Sequence, residues 1–180
     1  MPLPRWKKLS SEVRFRNAWW TYRLDRFVLP GGKEGEYHHV HTEGSAMVVP
    51  VTGDGRLLLV NQYRFLLDRE SLEFPGGGVK PGQAPEDAAR AELAEEGGVG
   101  ATELVHLGRF NPYNGVTDEL CDLYLARGLV HDPHAAPEET ETLEVAPLTV
   151  ADFEARVASG EIWDGMTLAA WCLARRWVVG

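Results

Sequence analysis

The stretch FPGGGVKPGQAPEDAARAELAEEGGV, residues 74–99, constrains the fold of this chain more than any other segment. Its second half is typical of a short helix. A proline suits the first turn, acidic residues complement the positive end of the helix dipole, and two adjacent glycines stop the helix. The first half is rich in glycine, which permits a tight loop with exposed backbone. We therefore predict a glycine loop that leads directly into a helix.

Three carboxylates are crowded at the end of this helix. Glu95 and Glu96 follow Glu92 by three and four residues, so the side chains share one face, where like charges destabilise a helix. Mg²⁺ prefers oxygen ligands, and a bound cation would relieve the repulsion. The alternative is an ordinary solvated acidic face, which would be the better interpretation of an isolated ExxEE motif.

Composition narrows the functional classes. The chain has 180 residues, 44% of them hydrophobic, which suits a globular domain with a sizeable core. Its net charge of −9 argues against nucleic acid or a membrane surface as partner, since both favour a basic face. We find no apolar run of membrane-spanning length and no apolar signal core, so a cytoplasmic location is expected. Cys121 and Cys172 offer no disulfide framework or zinc spacing, and both are interpreted as buried thiols.

The predicted elements mix strands and helices without regular alternation. Aromatic-rich segments around 12–29 and 36–42 flank the turn formers LPGGKEG and predict an antiparallel N-terminal arm. Further strands are predicted at residues 46–51, 56–65, 104–110, 119–126 and 142–148. The sequence TGDG favours a tight hairpin between the first two of these. A helix between the caps Thr149 and Gly160 and a second over 166–178 follow. This order favours an α+β fold with a mixed sheet between helix layers over a doubly wound sheet.

The loop and helix resemble the Nudix box, GX5EX7REUXEEXGU, where U is a bulky aliphatic residue. The first glycine of the box falls on Gly77. The end of the box, with all spacings intact, falls on Glu92, Leu93, Glu95, Glu96, Gly98 and Val99. Two positions depart, because Gln83 replaces the first Glu of the box and Ala91 its Arg. In the family these two residues brace the loop against the helix. The resemblance implies the layered α/β/α Nudix fold, with either a variant box that keeps its metal site or reduced or absent activity.

The segment NQYRFLLDRESLEFPGGG resembles the family branch that hydrolyses ADP-ribose and other nucleoside diphosphate sugars. The matching positions are Gln62, Tyr63, Arg64, Glu73 and Gly76. The resemblance makes the Gly76 carbonyl a metal ligand beside Glu92 and Glu96, and Glu95 a catalytic residue that acts as a further ligand or an orienting neighbour. It places Arg64 on the substrate phosphates, with Glu73 in the same substrate-binding segment. The alternative for Arg64 is a surface strand residue.

Two later segments extend the resemblance. In NPYNGVTDELCDLYLA, Glu119 holds the matching acidic position, where it holds the substrate or the metal-bound water, or only caps the loop. In HDPHAAPEETETLEVAPL, the resemblance implies a catalytic base at Glu139 and a further metal ligand at Glu141, with neighbouring glutamates as alternatives. The final segment, WDGMT and the helix after it, is interpreted as core packing.

The N-terminal residues resemble the branch's arm, which exchanges between subunits. The predicted division is an arm over 1–44 that forms a homodimer and a Nudix domain over 45–180. Trp19 or Trp20 offers a flat face for a nucleobase, with dimer or core packing as the alternative. The histidines of YHHVHT, His38, His39 and His41, do not converge in a strand and are interpreted as interface or surface residues.

The resulting hypothesis is hydrolysis of a nucleoside diphosphate sugar, of the ADP-ribose or GDP-mannose type, with Mg²⁺ or Mn²⁺. The products would be a nucleoside monophosphate and a sugar phosphate. One alternative is a Nudix-fold module that senses such a nucleotide without cleaving it, which Gln83 and Ala91 favour. Another is a dinucleoside polyphosphate or coenzyme A substrate, for which the sequence offers no basic cluster.

Overall fold

The computed structural model describes residues 1–132 and 143–180. In this part of the chain the strands are β1 (Lys7–Arg16), β2 (Thr21–Val28), β3 (Glu34–His41), β4 (Ser45–Pro50), β5 (Leu57–Arg64), β6 (Arg69–Glu73), β7 (Gly76–Gly78), β8 (Val99–Phe110), β9 (Cys121–His131) and β10 (Leu143–Leu148). The helices are α1 (Pro85–Gly97), α2 (Val150–Ser159) and α3 (Gly165–Val178). None of these helices combines the length and apolar character needed to cross a membrane.

The first compact unit comprises Met1–Glu43 and Asn111–Leu120. Its three strands form an antiparallel sheet in the order β1-β2-β3, and the predicted turn of LPGGKEG joins β2 to β3. The predicted antiparallel arm has three strands, because the chain turns between β1 and β2 within the segment 12–29. There the side-chain oxygen of Asn17 accepts hydrogen bonds from the backbone N–H groups of Trp19 (2.9 Å) and Trp20 (2.8 Å). An asparagine that bonds to the backbone two residues on makes a turn of its own.

The second unit comprises Gly44–Phe110 and Cys121–Gly180 and contains two sheets. One has the order β10-β5-β6, and the other the order β7-β4-β9-β8, in which β4 and β9 are parallel. The TGDG turn forms, with a hydrogen bond from the Thr52 N–H to the Arg56 carbonyl (2.9 Å). The hairpin expected around it is limited to the isolated bridge Val51↔Leu57, and β4 and β5 belong to different sheets. The edges of β4 are instead paired with β7 and β9.

Alternating residues of β4 enter two hydrophobic cores, as the period of a strand requires. Met47 and Val49 belong to a core with Phe153 of α2 and Trp171 of α3. The intervening residues belong to a second core under α1, whose buried members are Ala46, Val48, Ala88, Ala89, Leu93, Tyr124 and Ala126. The sheet that carries β4 therefore lies between α1 on one face and α2 and α3 on the other, and the expected α+β class is confirmed.

The helix α2 begins and ends where its predicted caps place it. The Thr149 hydroxyl accepts a hydrogen bond from the Asp152 N–H (3.1 Å), and α2 ends at Gly160 with a positive φ of 77°. On α3, Trp171 and Ala174 face the core, whereas Cys172 is exposed. The expectation of a buried thiol at Cys172 is therefore wrong, because the helical phase turns that position outward. Cys121 is buried in β9, as predicted.

Candidate active site

The first residues of the glycine loop form a strand of the sheet, and α1 follows the rest of the loop. Residues Gly76–Gly78 form β7 and pair with β4, so the loop is fixed at its start. At its end, the side-chain oxygen of Gln83 accepts a hydrogen bond from the Lys80 N–H (2.9 Å), and the Gln83 N–H donates to the Lys80 carbonyl (2.9 Å). Gln83 thus retains a bracing contact within the loop. Arg90 instead pairs with Glu86 (2.9 Å) and donates to the Ala101 carbonyl, so it does not replace the missing arginine at position 91.

Two of the three clustered glutamates meet the glycine loop. Glu96 is buried, and its Oε2 accepts a hydrogen bond from the Gly76 N–H (2.8 Å). The Glu92 carboxylate lies against Gly77, where an added β-carbon would be 2.6 Å from Glu92 Cδ. Both side chains project from the same face of α1, one turn apart. Glu95 is half-buried on the same helix.

The donor set at this loop fits a hard divalent cation. Glu92 and Glu96 supply carboxylate oxygens, and the missing side chain at Gly77 leaves the space that the Glu92 carboxylate occupies. Across residues 1–132 and 143–180, no group of three or more His, Cys, Asp or Glu side chains is arranged to hold a metal ion. The Gly76 carbonyl and Glu95 stay predicted ligands. The predicted base Glu139 and ligand Glu141 lie outside the described residues.

An ion pair with the buried Glu73 holds Arg64 at the end of β5. Glu73 on β6 is 4% exposed, and its Oε1 accepts a hydrogen bond from Arg64 Nε (2.7 Å). Its Oε2 pairs with the terminal nitrogen of Arg64 and accepts a bond from Gln62 Nε2 (3.2 Å). The Glu73 carboxylate raises the pKa of the Arg64 guanidinium, which keeps its charge. Arg64 is still 46% exposed at its side chain, so it can bind an anion while Glu73 fixes its orientation.

A pocket of about 580 Å³ opens beside Arg64. Among the described residues its walls are Gln62, Tyr63, Arg64, Phe65, Leu66, Leu67, Glu73, Leu143, Trp163 and Asp164. The interpretation of WDGMT as core packing holds for the buried Thr167 but not for Trp163 and Asp164, which line this pocket. Both residue types also occur in cores and helix caps, so the sequence alone held no signal for this placement.

The first unit holds the remaining predicted site residues. Trp19 is 81% exposed, and Trp20 packs against Phe15 with ring centroids 5.6 Å apart. The Asn111 side-chain amide donates to the Glu119 carbonyl (2.6 Å) and so fixes the backbone at Glu119. Base stacking on the tryptophans and substrate contact by Glu119 stay predictions.

The histidines of the arm have separate partners. His38 Nδ1 lies 2.8 Å from the Tyr22 hydroxyl, and His41 Nδ1 lies 2.8 Å from Asp118 Oδ2. The first contact joins two strands, and the second ties the 111–120 segment to β3. These contacts give His38 and His41 structural roles within the first unit.

Gly77→Ala should reduce activity far more than stability. The new β-carbon would displace the Glu92 carboxylate, a flexible side-chain end, so we expect about a hundredfold loss of kcat with less than about 1 kcal/mol of lost stability. Gly78→Ala is the matched control, because its β-carbon would meet no atom within 4 Å. Steady-state kinetics and chemical denaturation of both variants measure the difference. Equal kinetics for the two variants would contradict a functional position for Glu92.

Comparison with known proteins supplies the family. The NUDIX domain model matches residues 41–165, and the nucleoside diphosphate sugar hydrolase N-terminal domain model matches residues 6–40. An ADP-ribose pyrophosphatase of Bacillus subtilis (strain 168) is 34% identical over 165 residues, which are 91% of this chain and 89% of that protein. An ADP-ribose pyrophosphatase of Mycobacterium tuberculosis (strain ATCC 25618 / H37Rv) is 31% identical over 164 residues, 89% of this chain and 79% of that protein.

A solved structure supports the fold independently. The crystal structure of an ADP compounds hydrolase superposes with a TM-score of 0.85 at 23% identity, covering 98% of this chain and 96% of that one. The span matched by the NUDIX domain model contains the glycine loop and the glutamates of α1, where the motif was found in the sequence. The chain therefore belongs to the Nudix family of hydrolases.

Proposed function

We propose that this protein hydrolyses the diphosphate linkage of nucleoside diphosphate sugars, with ADP-ribose as the foremost substrate and GDP-mannose as a related one. The observation that carries the proposal is the contact of Glu92 and Glu96 with the glycine loop, in a chain with both Nudix and nucleoside diphosphate sugar hydrolase segments. The names of the relatives support the choice of ADP-ribose. The products are a nucleoside monophosphate and a sugar phosphate.

The residues of the second unit divide the chemistry between them. Glu92 and Glu96 would hold Mg²⁺ or Mn²⁺, with the Gly76 carbonyl, Glu95 and Glu141 as further ligands or orienting groups. Held by these residues, a divalent cation would supply charge neutralisation at the phosphoryl oxygens and would lower the pKa of a bound water. Arg64 binds the diphosphate and Glu73 holds Arg64 in place. Glu139 is proposed as the base that takes a proton from the attacking water.

The test is an assay of the purified protein on ADP-ribose, GDP-mannose, ADP-glucose and UDP-glucose, with Mg²⁺ and then with EDTA. We expect a nucleoside monophosphate to be released only when the metal is present, and fastest from ADP-ribose. Chromatography of the products checks both points. Binding of one substrate without turnover of any would favour the sensing module instead, with Ala91 as the departure from the box that explains it.

The N-terminal unit is proposed to form a homodimer. Every residue of β1 is exposed, including Leu9 (47%) and Val13 (47%), which is unusual for apolar side chains of a strand. Leu9→Lys with Val13→Lys should therefore convert a dimer into a monomer, because a charged side chain is costly to bury. Light scattering after size-exclusion chromatography measures the mass. The control Glu34→Lys reverses a charge at an exposed polar position and should leave the mass unchanged.

A dimer in both the Leu9→Lys/Val13→Lys variant and the Glu34→Lys control would contradict the proposal.

The role of the tryptophans is tested separately with Trp19→Ala and Trp20→Ala. If either ring stacks on the base, the KM for ADP-ribose should rise about tenfold.

A further inference from the structure

We infer that the pocket beside Arg64 binds the sugar end of the substrate, with Trp163 as its wall and Asp164 as the acceptor for a sugar hydroxyl. This inference rests on the proposed function and deepens it, because it assigns one part of the substrate to a defined pocket. The residues that carry it all belong to the second unit. Neither Trp163 nor Asp164 is part of the Nudix box.

Trp163 is held rigidly before any ligand arrives. The Arg69 guanidinium carbon lies 4.3 Å from the centroid of its ring, and the indole Nε1 donates to the Glu70 carbonyl (3.2 Å). The polar group of the ring is therefore satisfied, and one ring face is covered by a cation. Trp163 also lines the pocket, and the face of its indole away from Arg69 is flat and apolar. Such a surface suits the C–H face of a sugar ring, whose hydroxyls point outward from its edge.

Asp164 offers a single acceptor to a ligand. Its Oδ2 accepts a hydrogen bond from the Thr167 N–H (2.7 Å) and thereby caps α3. Asp164 also lines the pocket, and its other carboxylate oxygen makes no hydrogen bond to the described residues. That oxygen can accept a hydrogen bond from a sugar hydroxyl. Recognition of a guanine edge by a carboxylate would use both oxygens, so this arrangement favours a sugar over that base.

Arg64 connects the pocket to the glycine loop. Glu73 contributes most to the raised pKa of the Arg64 guanidinium, and Asp164 and Glu96 add smaller electrostatic contributions. Arg64 and Asp164 line the same pocket, and Glu73, which holds Arg64, stands three residues before Gly76, whose N–H donates to Glu96. A diphosphate held by Arg64 can extend its sugar toward Trp163 and Asp164 and keep its phosphorus atoms near Glu96.

The test measures binding of the two products and needs no turnover. Isothermal titration calorimetry would compare ribose 5-phosphate and AMP, in buffer with Mg²⁺, on the wild type and on Trp163→Ala and Asp164→Asn. We expect each variant to bind ribose 5-phosphate about tenfold more weakly, and AMP within about twofold of the wild type. Asparagine is as good a helix cap as aspartate, so α3 should be kept. Trp177→Ala, at an exposed ring near the end of α3, is the matched control and should change neither affinity.

Three results would overturn the inference. Weaker binding of AMP instead of ribose 5-phosphate would place the base in this pocket. Unchanged binding of both products would make Trp163 a purely structural wall, and no binding of ribose 5-phosphate to the wild type would remove the sugar site. None of these outcomes depends on hydrolysis, so failure of the proposed function would be seen separately, as absent turnover of ADP-ribose.

Discussion

Replacing Glu92 and Glu96 together with glutamine should reduce metal-dependent turnover by about a thousandfold, which corresponds to about 4 kcal/mol of lost transition-state stabilisation. Glutamine keeps the shape of the side chain and an oxygen that can accept from the Gly76 N–H, so the loop contact of position 96 can persist. What the substitution removes is the negative charge. The effect therefore reports on cation binding rather than on the fold of the loop.

A thermal measurement separates cation binding from catalysis. In the wild type, Mg²⁺ should raise the Tm because the ion binds only the folded protein, and in the double variant this rise should disappear. Without metal the variant should be slightly more stable, by about 0.2–0.5 kcal/mol, because like charges at this helical spacing repel. Glu86→Gln, on the exposed face of the same helix, is the control. It should leave turnover and the Mg²⁺-dependent rise in Tm unchanged. Turnover of the double variant within about tenfold of the wild type would exclude these glutamates as the metal site.

Local signals predicted α1 well because they act within a few residues. Pro85 stands in the first turn, and Gly98 caps the helix with a positive φ of 67°. The same holds for the caps of α2. The family assignment from the loop and helix is also confirmed, because box spacing fixes which side chains share a face of α1 and meet the loop.

The pairing of strands that are distant along the chain could not be predicted from the sequence, also for a physical reason. TGDG specifies a turn, but the partners of β4 are set by β7 and β9, which lie far away along the chain. Trp163 posed a similar problem, since an indole near a helix start suits a core as well as a pocket wall. Its placement depends on Arg69 and Glu70 of a different element. Gln83 shows the opposite case, where a departure from the motif keeps a loop contact through another hydrogen bond.

The second large effect is expected at the pair of Arg64 and Glu73. Arg64→Ala should lower kcat/KM for ADP-ribose about a hundredfold, because the diphosphate loses a charged hydrogen-bond partner. Glu73→Gln should lower it by a smaller factor of about ten, since it leaves the guanidinium charged but no longer held by a carboxylate. If Glu73 acts only through Arg64, the double variant should be no slower than Arg64→Ala alone. Multiplication of the two single effects would instead give Glu73 its own contact with the substrate.

The variants of Arg64 and Glu73 should rank differently in the free energy of unfolding than in kcat/KM. Arg64→Ala leaves the buried Glu73 carboxylate with the Gln62 amide as its remaining side-chain partner among the contacts described above, which should cost about 1–3 kcal/mol in the free energy of unfolding. Adding Glu73→Gln removes that buried charge, so the double variant should regain part of the loss. Arg56→Ala, which breaks an exposed pair with Asp54, is the control and should leave the free energy of unfolding nearly unchanged, because solvent screens an exposed pair. Urea denaturation of the wild type, Arg64→Ala, the double variant and Arg56→Ala measures these differences. A double variant less stable than Arg64→Ala would show that the buried charge is not what destabilises the single variant, and the positioning role of Glu73 would then rest on the kinetics alone.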